Sequence, residues 1–219
     1  MSIWEKRLTA VLIAAFMALP TTPVAAADQK ASVLLESLAV KGRAPKTGYT
    51  RAQFGQSWAD VDRNGCDTRN DILTRDLTDE LYKPGTHNCV VLSGVLVDPY
   101  SGESISFLRG NITSTEVQID HVVALSDAWQ KGAQKLSITA RTALANDPLN
   151  LLAVKGRLNF QKGDGDAATW LPPLKSYRCA YVARQVAVKA KYSLWLTTAE
   201  KAAIKSILDK CPGQLVPSA

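Results

Sequence analysis

Four cysteines, Cys66, Cys89, Cys179 and Cys211, stand in a 219-residue chain that opens on a secretory leader. Lys6 and Arg7 precede an apolar run over 8–19 and Pro20 ends it. Val24-Ala25-Ala26-Ala27 then offers the small residues of a cleavage site. The run is too short to cross a hydrocarbon core of about 30 Å, which argues against a retained anchor. Nothing after residue 27 reads as a second span. The sequence therefore predicts a secreted protein with no stable membrane association once the leader is removed. An oxidising compartment turns an even number of cysteines into disulfides. Zinc is the competing use, but the four are scattered and no C-x-x-C pair exists.

Helical spacing chooses the pairing. Cys179, Val182, Ala183, Val186 and Ala190 follow one helical stripe, and Ile204, Ile207, Leu208 and Cys211 follow another. Thr197-Thr198-Ala199-Glu200 is a capping box for the second helix. The short connection around Ser193 makes the helices antiparallel, which sets Cys179 beside Cys211. That bridge closes a loop of about 33 residues, worth roughly 3–4 kcal/mol by chain entropy. Cys66–Cys89 follows by elimination.

With 46% apolar residues the chain is no disordered polyelectrolyte. The net charge is +6, of which the leader's Glu5, Lys6 and Arg7 contribute +1. The remaining basic surface favours polyanions, whether nucleic acid, anionic lipid or wall polymer, without choosing among them. Periodicity predicts short helices over 31–38, around Phe54 and Trp58, over 72–81, 126–131 and 139–145. It predicts strands over 90–97, 105–108, 117–123 and 151–154. The class expected is α+β, with a small sheet and a disulfide-pinned C-terminal helical hairpin.

Only His87 and His121 are histidines. His87 lies in a loop without chemical neighbours. His121 sits in Ile119-Asp120-His121-Val122-Val123, followed by Asn150-Leu151-Leu152-Ala153-Val154 and then Asn159-Phe160-Gln161-Lys162. Phosphodiester hydrolysis needs a group that takes a proton from water near neutrality, which suits an imidazole of pKa about 6.5. It also needs a hard cation, which prefers carboxylate and amide oxygens such as those of Asp120 and Asn159. On a strand Asp120 and His121 face opposite sides, so one site holding both requires the strand to end there.

This order of residues resembles the HNH nucleases with a ββα-metal (His-Me finger) core. The wider text is similar to secreted bacterial proteins of the HNH group related to the GmrSD C-terminal domain. Further matching segments are Asn64-Gly65-Cys66-Asp67-Thr68-Arg69-Asn70, Asp127-Ala128-Trp129, Lys162-Gly163-Asp164, Trp170-Leu171-Pro172-Pro173 and Tyr177-Arg178-Cys179. The resemblance implies that His121 is the general base, that Asp120 and Asn159 are metal ligands, and that Asn150 braces the loop. An asparagine at 159 favours Mg²⁺ or Mn²⁺ over softer metals. Lys155, Arg157, Lys162 and Arg69 are candidates to hold substrate phosphates or to form a solvated basic face.

Asp60-Val61-Asp62-Arg63-Asn64-Gly65 fits the first half of a calcium loop. Cys66 would offer its carbonyl, with Thr68 and Asp71 at the ninth and twelfth positions. Asp71 is shorter than the usual bidentate Glu, and Asp67 replaces an apolar residue, so an Asx-rich turn stapled by Cys66 is the alternative.

The expected organisation is a leader over 1–27, an extension over 28–48, a nuclease domain over 49–211 with its core at about 116–166, and a tail over 212–219. The expected function is a metal-dependent endonuclease acting on DNA or RNA. The alternative is a non-catalytic secreted binder of nucleic acid or of an anionic wall polymer on the same scaffold. Oligomeric state is not written in the sequence.

Overall fold

The structure, a computed structural model, describes residues 29–111 and 113–217; the leader lies outside the described residues. Helix α1 (Ala31–Ser37) is followed by a 3-10 turn over Arg51–Phe54 and helix α2 (Thr68–Asp76). Strands β1 (Leu77–Tyr82), β2 (Val91–Val97) and β3 (Ser104–Leu108) form an antiparallel sheet in that order. Strand β4 (Val117–His121) leads through α3 (Leu125–Gln130) and α4 (Ile138–Ala145) to its antiparallel partner β5 (Leu151–Lys155). Helices α5 (Gly156–Lys162), α6 (Arg178–Lys191) and α7 (Thr198–Leu208) complete a mixed α/β fold.

The β4–β5 ribbon divides two apolar clusters. Val117, Ile119, Leu151 and Ala153 face the three-stranded sheet and α2, where Ile72, Leu73, Leu96 and Phe107 are buried. Leu152 and Val154 face the other way, toward Leu158 and the helices. Burial on both faces explains why 151–154 is a continuous apolar run rather than an alternating one.

The extension and the tail join the larger cluster: Ala31 and Leu35 are buried there with Val216. Gln29 and Val216 share a backbone hydrogen bond. Both disulfides have the expected partners, Cys66–Cys89 with a Cα separation of 5.0 Å and Cys179–Cys211 with 6.4 Å. The capping box at Thr197 and Glu200 is present.

Two elements differ from expectation. The segment over 72–81 is not one helix: α2 ends at Asp76 and 77–82 pairs with β2, with register shifts around Asp79, whose φ is 54°. Leu73 and Leu77 satisfy both periods, and pairing along the edge of β2 decides between them. Trp58 is not helical. After the 3-10 turn, Gly55 (φ 75°) and Trp58 (φ 56°) hold a strained loop. A Cβ at Gly55 would lie 2.2 Å from the Thr142 hydroxyl, so only glycine fits.

Candidate active site

Strand β4 ends at His121, and its alternation sends Asp120 and His121 to opposite faces. Asp120 turns toward α5 and is 4% exposed. Its carboxylate accepts from the Tyr100 hydroxyl at 2.6 Å and from Lys162 Nζ at 2.9 Å. Lys162 also donates to the His121 carbonyl at 2.9 Å, so the last turn of α5 is fastened to the end of β4.

His121 is 8% exposed, and its Nε2 lies 2.9 Å from the Ala145 carbonyl. A carbonyl only accepts, so this contact assigns the proton to Nε2 and leaves the lone pair on Nδ1. The Trp58 indole lies nearly parallel to the imidazole, with centroids 6.1 Å apart and planes at 17°. Burial pushes the imidazole down to about 3. The Ala145 carbonyl opposes that shift, while Arg51 and Lys162 deepen it. The ring is therefore neutral at physiological pH.

That neutral burial has a consequence for stability. Between the ordinary value of 6.5 and about 3, the unfolded chain takes up a proton that the folded chain refuses. Stability is thus lost as pH falls through this window, by at most about 1.4 kcal/mol per pH unit from this group. Denaturant melts from pH 7 to pH 4 are expected to show the loss in the native protein, and His121→Asn is expected to flatten that part of the slope.

Asn150 is fully buried and orders the chain on both sides of the histidine. Its side chain accepts from the Val123 N–H at 2.8 Å and donates to the carbonyls of Val123 and Leu144. It thereby joins the segment leaving β4 to the end of α4, next to the carbonyl that holds His121.

Asp120, His121 and Asn159 line one open cleft of about 420 Å³, together with Gln118, Ser126 and Asp164. The Asn159 amide donates to the Gln118 side chain at 2.9 Å. Lys46, Tyr49, Arg51 and Phe160 wall the same cleft. The sequence carried no functional signal for these four, and Trp58 read only as the anchor of a short helix. For Lys46, Tyr49, Arg51 and Trp58 the only signal was a run of aromatic and basic residues over 46–58, some 70 residues upstream of His121, while Phe160 stands beside Asn159.

The structure disperses the expected phosphate-holding residues. Lys162 is buried and committed to Asp120. Lys155 pairs with Glu103 at 2.6 Å. Arg69 lies over the Phe107 ring, beside the three-stranded sheet. Arg157 is exposed on α5.

In the 60–71 loop, Asp60, Asp62 and Asp71 gather around Asn64. The Asn64 N–H donates to Asp60 and Asp62, both at 3.2 Å, and its amide to Asp62 and Asp71, both at 3.1 Å. Gly65 N–H also donates to Asp60, and the Thr68 hydroxyl donates to the Ala59 carbonyl rather than turning inward. The Cys66 side chain is in its disulfide. Burial raises the Asp71 carboxyl above its ordinary value, Asn64 opposes this, and Asp62, Asp67 and Asp60 add to the rise.

Among the described residues, no group of three or more His, Cys, Asp or Glu side chains is arranged to hold a metal. Asp120 and Asn159 line the same cleft with oxygens of the kind hard cations take, and both Asp120 oxygens already accept from Tyr100 and Lys162.

Comparison with known proteins defines the class first: the chain is a secreted, nuclease-related protein. Residues 67–207 match the family model described as GmrSD restriction endonucleases, C-terminal domain, and the chain belongs to that family. A curated relative from the fungus Arthroderma benhamiae, described as an uncharacterized secreted protein, is 37% identical over 207 residues. The match covers 93% of this chain and 96% of the relative. No solved structure matches. Among the described residues, no helix is long and apolar enough to cross a membrane.

Proposed function

We propose that the chain is an endonuclease of the HNH type, with β4, β5 and α5 as its ββα-metal core, and that it hydrolyses phosphodiester bonds of DNA or RNA. One observation carries the reading. A neutral imidazole, tied through Nε2 to the Ala145 carbonyl and keeping its lone pair on Nδ1, lines a cleft with Asp120 and Asn159.

In this mechanism Arg51 and Lys46 attract the phosphodiester into the cleft. A bound phosphodiester offsets the charge of Arg51 and Lys162 that helps hold the empty-site imidazole low, and His121 Nδ1 takes a proton from water as the water oxygen bonds to phosphorus and the bond to the 3′-oxygen breaks. The departing oxygen takes a proton from solvent, leaving a 5′-phosphate, and the imidazolium returns its proton to water. The Ala145 carbonyl orients the ring and steadies the charge it acquires. Lys162 and Tyr100 hold the Asp120 carboxylate in place. Asp120 and Asn159 would hold Mg²⁺ or Mn²⁺, which when bound neutralises charge on the phosphoryl group.

A second reading is favoured by the Asp120–Lys162 pair, which satisfies the carboxylate without an added ion. The chain would then be a non-catalytic binder of nucleic acid or of an anionic wall polymer. Plasmid incubated with Mg²⁺, Mn²⁺ or EDTA separates the two. The nuclease is expected to nick with a divalent ion and to stop in EDTA. A binder leaves the plasmid intact and responds chiefly to salt. The same incubations are run on single-stranded DNA and on RNA, and all three substrates intact under every condition would overturn the enzymatic reading.

A further inference from the structure

Beyond the cleft, His121 lines a second and smaller hollow. It holds about 160 Å³ and is bounded by Arg51, Phe54, Gly55, Trp58, His121 and Asn146 among others. That is the room of roughly five waters at about 30 Å³ each, enough for one flat heterocycle and too little for a base pair. Arg51, His121 and Leu125 line both spaces, so the hollow opens beside the cleft in which the phosphodiester is proposed to sit.

The hollow is a built feature. Its loop turns at Gly55 and then holds Trp58, a bulky non-glycine residue, at φ 56°. The buried Asn146 side chain clamps the loop at both ends, accepting from the Ala59 N–H at 3.0 Å and donating to the Gln56 carbonyl at 3.3 Å. Strain of this kind persists only where the surroundings enforce it, and it gathers at ligand sites. Here it presents a half-buried indole. In the adjoining cleft, Phe160 is 86% exposed, more than any other large apolar side chain among the described residues. His121 lines both the hollow with Trp58 and the cleft with Phe160 and Asn159, and the cleft also carries Arg51 and Lys46, the latter paired with Asp164 at 3.0 Å.

Aromatic faces interleaved with cations along a groove are the means by which proteins grip unpaired strands. Stacking accepts any base but requires it to be unpaired. Building on the nuclease reading above, we infer that this site takes single-stranded nucleic acid. One base beside the scissile phosphate would enter the Trp58 hollow, and a base on the other side would stack on Phe160.

The test is anisotropy of a labelled mixed-sequence oligonucleotide, single-stranded or annealed to its complement, titrated with the full-length mature protein in EDTA. The same strands are then assayed for cleavage with Mg²⁺. The single strand is expected to bind at least about tenfold more tightly than the duplex. Trp58→Ala and Phe160→Ala should each reduce that preference roughly five- to tenfold, and Trp58→Phe should keep most of it. Phe160 is exposed, so its variant is informative even where a change in the strained Trp58 loop unfolds the protein. Equal binding of both forms, or a preference that survives the Phe160 and Trp58 changes in folded protein, overturns the inference. If cleavage by Mg²⁺ still occurs in that case, the nuclease reading stands without it. A single-strand preference that depends on both rings, with no cleavage of either form, supports the groove and sinks the nuclease reading instead.

Discussion

His121→Ala is expected to slow cleavage of an oligonucleotide by at least about 10²-fold at saturating Mg²⁺, measured in single turnover. The size follows from what the change removes. The imidazole offers a ring nitrogen whose lone pair is fixed by the Ala145 contact, and truncation leaves only water and the carboxylates of Asp120 and Asp164, which are already engaged by Tyr100, Lys162, Lys46 and Ser126. Folding should survive. The Ala145 carbonyl loses its donor, which costs about 1–3 kcal/mol against a typical domain stability of 5–15 kcal/mol. A thermal melt of the variant checks this. A folded, metal-saturated variant that retains the native rate removes His121 from the chemistry.

Glu200→Ala is expected to destabilise the protein by about 3–5 kcal/mol, a fall in Tm on the order of 10 °C. Glu200 is fully buried and takes Lys131 at 2.6 Å and Lys189 at 2.9 Å. Lys131 also pairs with Asp127 and Asp166, both at 2.7 Å, and Arg43 reaches the same two carboxylates. Two buried cations, with Arg43 closing the network from the surface, therefore balance three buried anions. Removing Glu200 leaves buried Lys189 with Asp127 alone, at 3.3 Å, and makes buried Lys131 share Asp127 and Asp166 with Lys189 and Arg43. The loss spreads to the cleft, because Asp127 and Lys131 fix α3, whose Leu125 and Ser126 line it.

The network also sets a pH range. Burial works to lower the Lys131 ammonium, but Asp127 and Glu200 raise it above its ordinary value, so its contribution is lost only as pH climbs through that raised value. Burial works to raise the Asp166 carboxyl, but Lys131 and Arg43 hold it below its ordinary range, so its share is lost only in strong acid. The loss of stability expected below pH 6.5 is therefore His121's and not that of Lys131 or Asp166.

Much of the site's frame was legible because it is local. Asp120 and His121 are adjacent, Asn150 opens the strand that pairs with theirs, and Asn159 follows on the next helix. The C-terminal hairpin was legible from its 3.6-residue stripes and capping box, and those stripes fixed the disulfides. The division of 72–81 into helix and strand was not, because Leu73 and Leu77 suit both periods and tertiary pairing decides. Lys162 read as a surface phosphate ligand because charge gives no sign of burial in sequence. Its committed pairing with Asp120 appears only when α5 folds back over β4. Arg51, Trp58 and Lys46 were hidden for a related reason. They reach His121 from far upstream through a 3-10 turn and a left-handed loop, neither of which has a periodic signature.

The most direct test of the proposed chemistry is cleavage of a DNA strand by the native protein with Mg²⁺ in ¹⁸O-labelled water, with mass analysis of the product ends. Attack on phosphorus by water that His121 deprotonates predicts 5′-phosphate ends carrying one solvent oxygen, opposite unlabelled 3′-hydroxyl ends. Uncleaved DNA, or phosphate ends without the solvent label, would contradict it.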